Sequence, residues 1–161
     1  MDAAQRRDIT TDLHNKLVAY WHDVDFNWGL NAGSYYTEDA IFEGGQMQPY
    51  NGRTEIEEFY AYRRDRGARV VLHGVINFHC TVESDTVAKG AWICMLHAHD
   101  GEAPQVTAPP INISLVTDVY VLQDGEWLVK RRTWKALFRG GAAATILPRA
   151  EMEKRLAAKE K

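Results

Sequence analysis

The stretch Val70-Val71-Leu72-His73-Gly74-Val75-Ile76-Asn77-Phe78 decides the fold. Upstream of it the dominant apolar repeat is helical; from Arg69 onward the repeat becomes that of strands. Four long strands are expected over 70–83, 86–99, 111–122 and 127–136. Ser84-Asp85 and Asp124-Gly125 are hairpin turns joining them in pairs. The segment 100–110, with three prolines, is a loop between the pairs.

Ahead of the strands, Ile9, Leu13, Leu17, Tyr20 and Val24 make a helical stripe, so a first helix is expected over 4–24. Asp23 and Asp25 fall at its C-terminal end, where the helix dipole disfavours carboxylates, so each needs another reason to be there. A short second helix is expected over 27–36, interrupted by Gly29 and Gly33. Ala40-Ile41-Phe42-Glu43 reads as a short strand ended by Gly44-Gly45. Asn51-Gly52 marks a turn. Thr54, with Glu57 three residues on, reads as the capping box of a third helix that runs to about Arg66. This order is α+β: a curved, cone-shaped antiparallel sheet whose open side three helices close, with a pocket inside. One domain is expected over 1–140. The tail 141–161 starts small-residue-rich after Gly140-Gly141 and turns partly helical from Pro148.

The chain has 161 residues, 45% apolar and 25% charged, with a net charge of −3. Those values suit an ordinary globule and give no footprint for nucleic acid or anionic membrane. No apolar run reaches membrane-spanning length. Cys80 and Cys94 both lie in strand-like segments at a spacing that does not suggest zinc. With no secretory segment ahead of them, two free thiols in a cytoplasmic, reducing setting are expected. No metal or other cofactor is expected. His97 and His99 share a strand face, but a third ligand is not evident and a strand end entering a polar loop explains them.

The pair with most chemical content is Asp25 and His73. A carboxylate holding one imidazole nitrogen leaves the other free to move a proton. The plainer account makes His73 a satisfied core histidine and Asp25 a turn residue. Strand alternation would put Asn77 and His79 on the face of His73 unless a bulge intervenes. Trp28, Tyr35, Tyr36 and Phe42 would line the wide end of the cone, with Tyr20 and Trp92 added as further aromatic pocket candidates. Asn112 and Ser114 share a polar face with Asp118 and Tyr120. Arg132 and Trp134 alternate with Arg131 and Thr133; an inward arginine would hold a phenolate or carboxylate. Glu43 is a secondary acid, and Arg63 reads as a solvated charge near a helix C-terminus.

Four local anchors occur in a telling order: Val24-Asp25, Tyr35-Tyr36-Thr37-Glu38-Asp39-Ala40, Asn51-Gly52-Arg53-Thr54-Glu55-Ile56 and Asp124-Gly125-Glu126-Trp127. With them the chain resembles, over roughly residues 5 to 138, the SnoaL-like branch of the nuclear transport factor 2-like superfamily. Lindane dehydrochlorinase and scytalone dehydratase in that superfamily use an Asp–His dyad, and the resemblance carries it onto Asp25 and His73. The dehydrochlorinase arginine of the third long strand has no match here, where Leu122 or Gln123 stands. The dense aromatics and arginines are also similar to lyases that remove formaldehyde from lignin-derived diarylpropane diols without a cofactor. The resemblance therefore implies a cofactor-independent lyase for a hydrophobic aromatic small molecule, in a homodimer or homotrimer. A polyketide-type isomerase or cyclase, a ligand carrier, and a non-catalytic protein like the small subunit of ring-hydroxylating dioxygenases remain open beside it.

Overall fold

The computed structural model describes residues 1–44, 47–140 and 146–159; Gly45 and the small-residue stretch 141–145 fall outside them. Helix α1 (Ala3–Phe26) opens with a capping box in which the Asp2 carboxylate accepts Gln5 N–H and the Gln5 side chain accepts Asp2 N–H, both at 2.9 Å. Its buried face carries Leu13, Leu17, Tyr20, Trp21 and Val24.

The chain then reverses at once. Trp28 and Gly29 take positive φ values of 58° and 65°, which no right-handed helix can continue, so only a 3₁₀ turn (Ala32–Tyr35) remains of the expected second helix. Asp23 ties this corner together. Its carboxylate accepts the Asn27 amide at 2.7 Å, the Asn31 amide at 2.9 Å and Asn31 N–H at 3.1 Å. That accounts for one of the two carboxylates at the wrong end of the helix.

Strand β1 (Tyr36–Gly44) is longer than expected, and β2 (Met47–Asn51) was not foreseen. Helix α2 spans Gly52–Asp65 and begins earlier than Thr54; the expected capping box is replaced by the Glu55 carboxylate, which accepts Asn51 N–H at 2.8 Å. Glu57 instead covers Gly33 and leaves no room there for a Cβ. Strands β3 (Arg69–Val82), β4 (Val87–Asp100), β5 (Asn112–Gln123) and β6 (Glu126–Arg139) follow, and α3 covers Arg149–Lys159. Asp124 and Gly125, at φ 52° and 81°, form the tight hairpin turn between β5 and β6.

The sheet order is β2-β1-β6-β5-β4-β3. All neighbours are antiparallel except β1 and β6, so the sheet is mixed, and it curls without closing into a barrel. The α+β class, the curved sheet and the covering helices stand as expected from sequence. α1 packs on β3 and α2 on β1, which encloses the core between helices and concave face.

Two bulges decide what faces inward. Asn77, at φ 54°, shifts the β3–β4 register between Ile76 and His79. A second shift between Val119 and Tyr120 pairs Asp118 with Arg132.

Helix α3 docks on α2. Arg149 donates to both Glu55 oxygens at 2.7 and 2.8 Å, Arg155 pairs with Glu58 and Asp65, and Met152 is fully buried. Tyr50 Oη accepts Leu147 N–H at 3.0 Å. Met152→Ala should therefore lower stability by about 2–5 kcal/mol, read from urea unfolding. No helix of the described residues is long and apolar enough to cross a membrane.

Candidate active site

Asp25 sits in the last turn of α1, one turn beyond Trp21, and reaches across to β3. Its Oδ1 lies 2.6 Å from His73 Nδ1 and its Oδ2 accepts His73 N–H at 2.7 Å. Holding backbone and ring together fixes the imidazole's position. The carboxylate accepts the Nδ1 proton, which leaves the Nε2 lone pair as the free end. The two side chains are only 6% and 3% exposed. Trp21 stacks on the imidazole, with centroids 4.0 Å apart and planes within 20°. Trp92 and Trp134 stand edge-on to Trp21 at 5.7 and 5.9 Å.

Burial lowers the basicity of His73 below its ordinary 6.5, against the pull of Asp25; the nearby Arg63 and Arg69 charges push the same way as burial. The imidazole is therefore neutral at neutral pH, the form a base needs.

Beside this pair lies a buried polar network. Asp118 accepts Arg132 Nε at 2.7 Å and Nη2 at 2.9 Å, Trp92 Nε1 at 2.9 Å and the Tyr120 hydroxyl at 2.8 Å. Arg132 Nη1 also donates to the Tyr36 hydroxyl at 3.2 Å, Tyr36 donates to Tyr20 at 2.9 Å, and the Tyr20 and Tyr60 hydroxyls are in contact. Burial raises all three tyrosines above their ordinary range, so they stay protonated and act as donors. The indole N–H groups of Trp21 and Trp134 are buried and find no acceptor among the described residues. A buried donor without a protein partner calls for an acceptor from water or from a ligand.

The expected pocket residues sort clearly. Tyr20, Tyr36, Trp92, Phe42 and Trp134 gather inside the curl, Phe42 with its centroid 6.2 Å from each of Tyr36 and Trp134. Arg132 points inward, but the carboxylate it holds is Asp118 of its own chain. Trp28 lies at the mouth beside Asp25. Ser114 donates to Asn112 at 2.7 Å; Asn112 shares a cross-strand row with Leu96 and His73, and Ser114 one with Cys94 and Val75.

Asn77 and His79 are exposed, because the bulge at Asn77 turns the second half of β3 over and brings Phe78 and Cys80 inward instead. Tyr35 is half-buried on the side of α1 that carries Lys16, whose ammonium lies 5.8 Å from its ring centroid. Glu43 pairs with Arg131 near the surface. His97 and His99 gain no third His, Cys, Asp or Glu among the described residues.

The sequence reading gave no site role to Trp21 or Tyr60, placed Asp118 on a polar strand face without a partner, and took Arg63 as a solvated charge. Trp21 had a signal, four residues before Asp25 on the same helical face.

A curled mixed sheet under three helices, with an aspartate-held histidine on its concave face, defines a cone of the nuclear transport factor 2-like kind. Solved structures bear this out at the level of fold. A Novosphingobium aromaticivorans protein provisionally named scytalone dehydratase superposes with a TM-score of 0.78 at 15% identity, over 91% of this chain and 96% of that one. ActVI-ORFA of Streptomyces coelicolor gives 0.66 at 19% identity, over 81% and 98%. A Pseudomonas putida protein described as NTF2-like and of unknown function gives 0.66 at 14%, over 88% and 98%. Residues 5–133 match the SnoaL-like domain, and the chain belongs to that family. No protein of curated function matches the sequence.

Proposed function

We propose that the protein is a cofactor-independent lyase acting on a hydrophobic, hydroxylated aromatic molecule, with a lignin-derived diarylpropane diol as the leading candidate. The observation that carries this reading is the 2.6 Å contact between Asp25 and His73 under the Trp21 ring, inside an aromatic-lined curl. Asp25 fixes the tautomer and stabilises the imidazolium once His73 Nε2 has taken a proton. Arg132 donates to Tyr36 and Tyr36 to Tyr20; with Tyr20 donating to Tyr60, one of the two directions their contact allows, the Tyr60 proton is left to assist a departing hydroxyl.

On a para-hydroxyaryl diol, the benzylic hydroxyl and the phenolic proton leave together as water, giving a quinone methide. His73 then takes the proton of the primary hydroxyl and the carbon–carbon bond to that carbon breaks, releasing formaldehyde. The electron pair of that bond returns the ring to a phenolate, which regains a proton from His73. Substrate becomes alkene, water and formaldehyde with no net oxidation.

A matched pair of diols tests the intermediate. The para-hydroxyaryl compound should turn over while its para-methoxy ether, which cannot form a quinone methide, should not; equal turnover of both contradicts the route. Because the base must be neutral and His73 is held below 6.5, kcat/KM should rise from acid pH along a limb centred below 6.5. An acid limb centred above 6.5 would speak against His73 as the base.

The family covers polyketide cyclases as well as scytalone dehydratase-like enzymes. A cyclase or isomerase using the same base is the second reading, and it predicts a product of unchanged mass.

A further inference from the structure

A cleft of about 220 Å³ opens beside the Asp25–His73 pair, lined by Asp25, Trp28, Arg63, Arg64, Arg69 and Val71 among others. Three cations and one carboxylate face it, from α1 (Asp25), α2 (Arg63, Arg64) and β3 (Arg69). The carboxylate is committed, since both its oxygens are taken by His73. Two of the cations also have structural work. Arg64 Nη1 donates to the Trp28 and Gly29 carbonyls at 3.3 and 3.4 Å, holding the corner after α1, and Arg69 is paired with Asp100 at 3.1 Å.

Arg63 differs from both. Its guanidinium lies over the Phe59 and Tyr60 rings, 5.8 and 5.5 Å from their centroids, and no carboxylate or carbonyl among the described residues accepts from it. Phe59 and Tyr60 precede Arg63 by four and three positions, so one face of α2 builds the platform and the cation together. A guanidinium stacked on aromatic rings keeps its planar fork of N–H donors free at the edge, and that fork fits two oxygens of a carboxylate or one phenolate.

We propose that Arg63 is the anion-binding residue of this cleft and that the substrate presents an anionic aryl oxygen to it, as a phenolate or a ring carboxylate. This deepens the lyase reading, and rests on it only in taking the cleft beside His73 as the reacting one. An ionised phenol is the form that expels a benzylic hydroxide, so a cation at this point would both hold the ring and favour its reactive state.

The test is calorimetric titration of the full chain with three probes: 4-nitrophenolate, benzoate and neutral benzyl alcohol. Wild type should bind at least one anion more tightly than the alcohol. Arg63→Gln should weaken that anion by about tenfold or more, the scale of one charge-assisted hydrogen bond. Arg63→Lys, which keeps the charge and loses the fork, should fall between. Tighter benzoate assigns a carboxylate substrate, and tighter 4-nitrophenolate a phenolate. A second readout needs no ligand: by proton NMR, His73 should titrate at higher pH in Arg63→Gln than in wild type, because one repelling cation has gone.

Anion affinities within about twofold between wild type and Arg63→Gln would overturn the proposal, and so would failure of wild type to prefer either anion. Loss of anion binding in Arg63→Gln without turnover of any phenolic diol would uphold the anion site and sink the lyase reading instead. Turnover with unchanged anion binding would do the reverse.

Discussion

His73→Ala should lower turnover by about 10² to 10⁴-fold, the usual contribution of a positioned general base. In free energy this is about 2.7 to 5.4 kcal/mol of lost transition-state stabilisation. The expectation follows from geometry. Asp25 takes the Nδ1 proton and the neighbouring backbone N–H, so one nitrogen is left with its lone pair. Trp21 covers one ring face, which keeps water from competing and holds the ring still.

The loss should appear in kcat with little change in KM, because an interaction made only in the transition state is removed. Asp25→Asn should lose activity as well. An amide can still accept from one N–H, but it cannot balance an imidazolium. Thermal unfolding of both variants is the control, since Asp25 also ties α1 to β3. A His73→Ala protein that folds and keeps turnover within about threefold of wild type, roughly 0.6 kcal/mol, removes His73 from the mechanism.

The largest effect on stability should come from Asp118→Ala, at about 3–5 kcal/mol. Four N–H or O–H donors converge on this one carboxylate, and its side chain is fully buried. Removing it leaves the Arg132 guanidinium charged in the core with only Tyr36 and the surrounding rings. Against a whole-domain stability of about 5–15 kcal/mol, that loss is large.

Replacing both partners, Asp118→Leu with Arg132→Met, should be milder than Asp118→Ala alone, because the desolvation penalty goes with the charges. Urea unfolding of the three proteins reads both statements. A single variant within about 1 kcal/mol of wild type would mean that the pair is not carrying the load its burial implies.

The long strands and first helix were legible because their apolar repeats run over many residues and end at turn residues such as Asp124-Gly125. Strand β2 was not. It has five residues, contains Pro49, and is tolerated only because it sits at the sheet edge, where a missing N–H is harmless. The contact between Asp25 and His73 was legible from position and residue type, since an acid at a helix C-terminus asks for a partner elsewhere.

The rest of the site depended on register. Counting back from the Asp124-Gly125 turn without a bulge places Asp118 opposite Arg131, an exposed residue. The shift between Val119 and Tyr120 brings Arg132 there instead and turns a surface pairing into the buried core of the network. The same physics removed Asn77 and His79 from the pocket. The β3 bulge rests on one residue at positive φ, a conformation asparagine tolerates better than most residues, yet asparagine also sits in regular strands, so residue type alone does not announce it. The surroundings of Arg63 depended on tertiary packing. Its spacing from Phe59 and Tyr60 shows the platform, but nothing local shows that this face of α2 lies against the end of α1.

The most direct test of the account is mass-spectrometric turnover of a panel of para-hydroxyaryl diols and hydroxylated polyketide-like aromatics, with a chelator present and with His73→Ala beside wild type. The account predicts a product lighter by water, or by water and formaldehyde, from wild type and a product peak reduced by at least about a hundredfold from the variant. Unchanged masses across the panel, or equal product from both proteins, would contradict it.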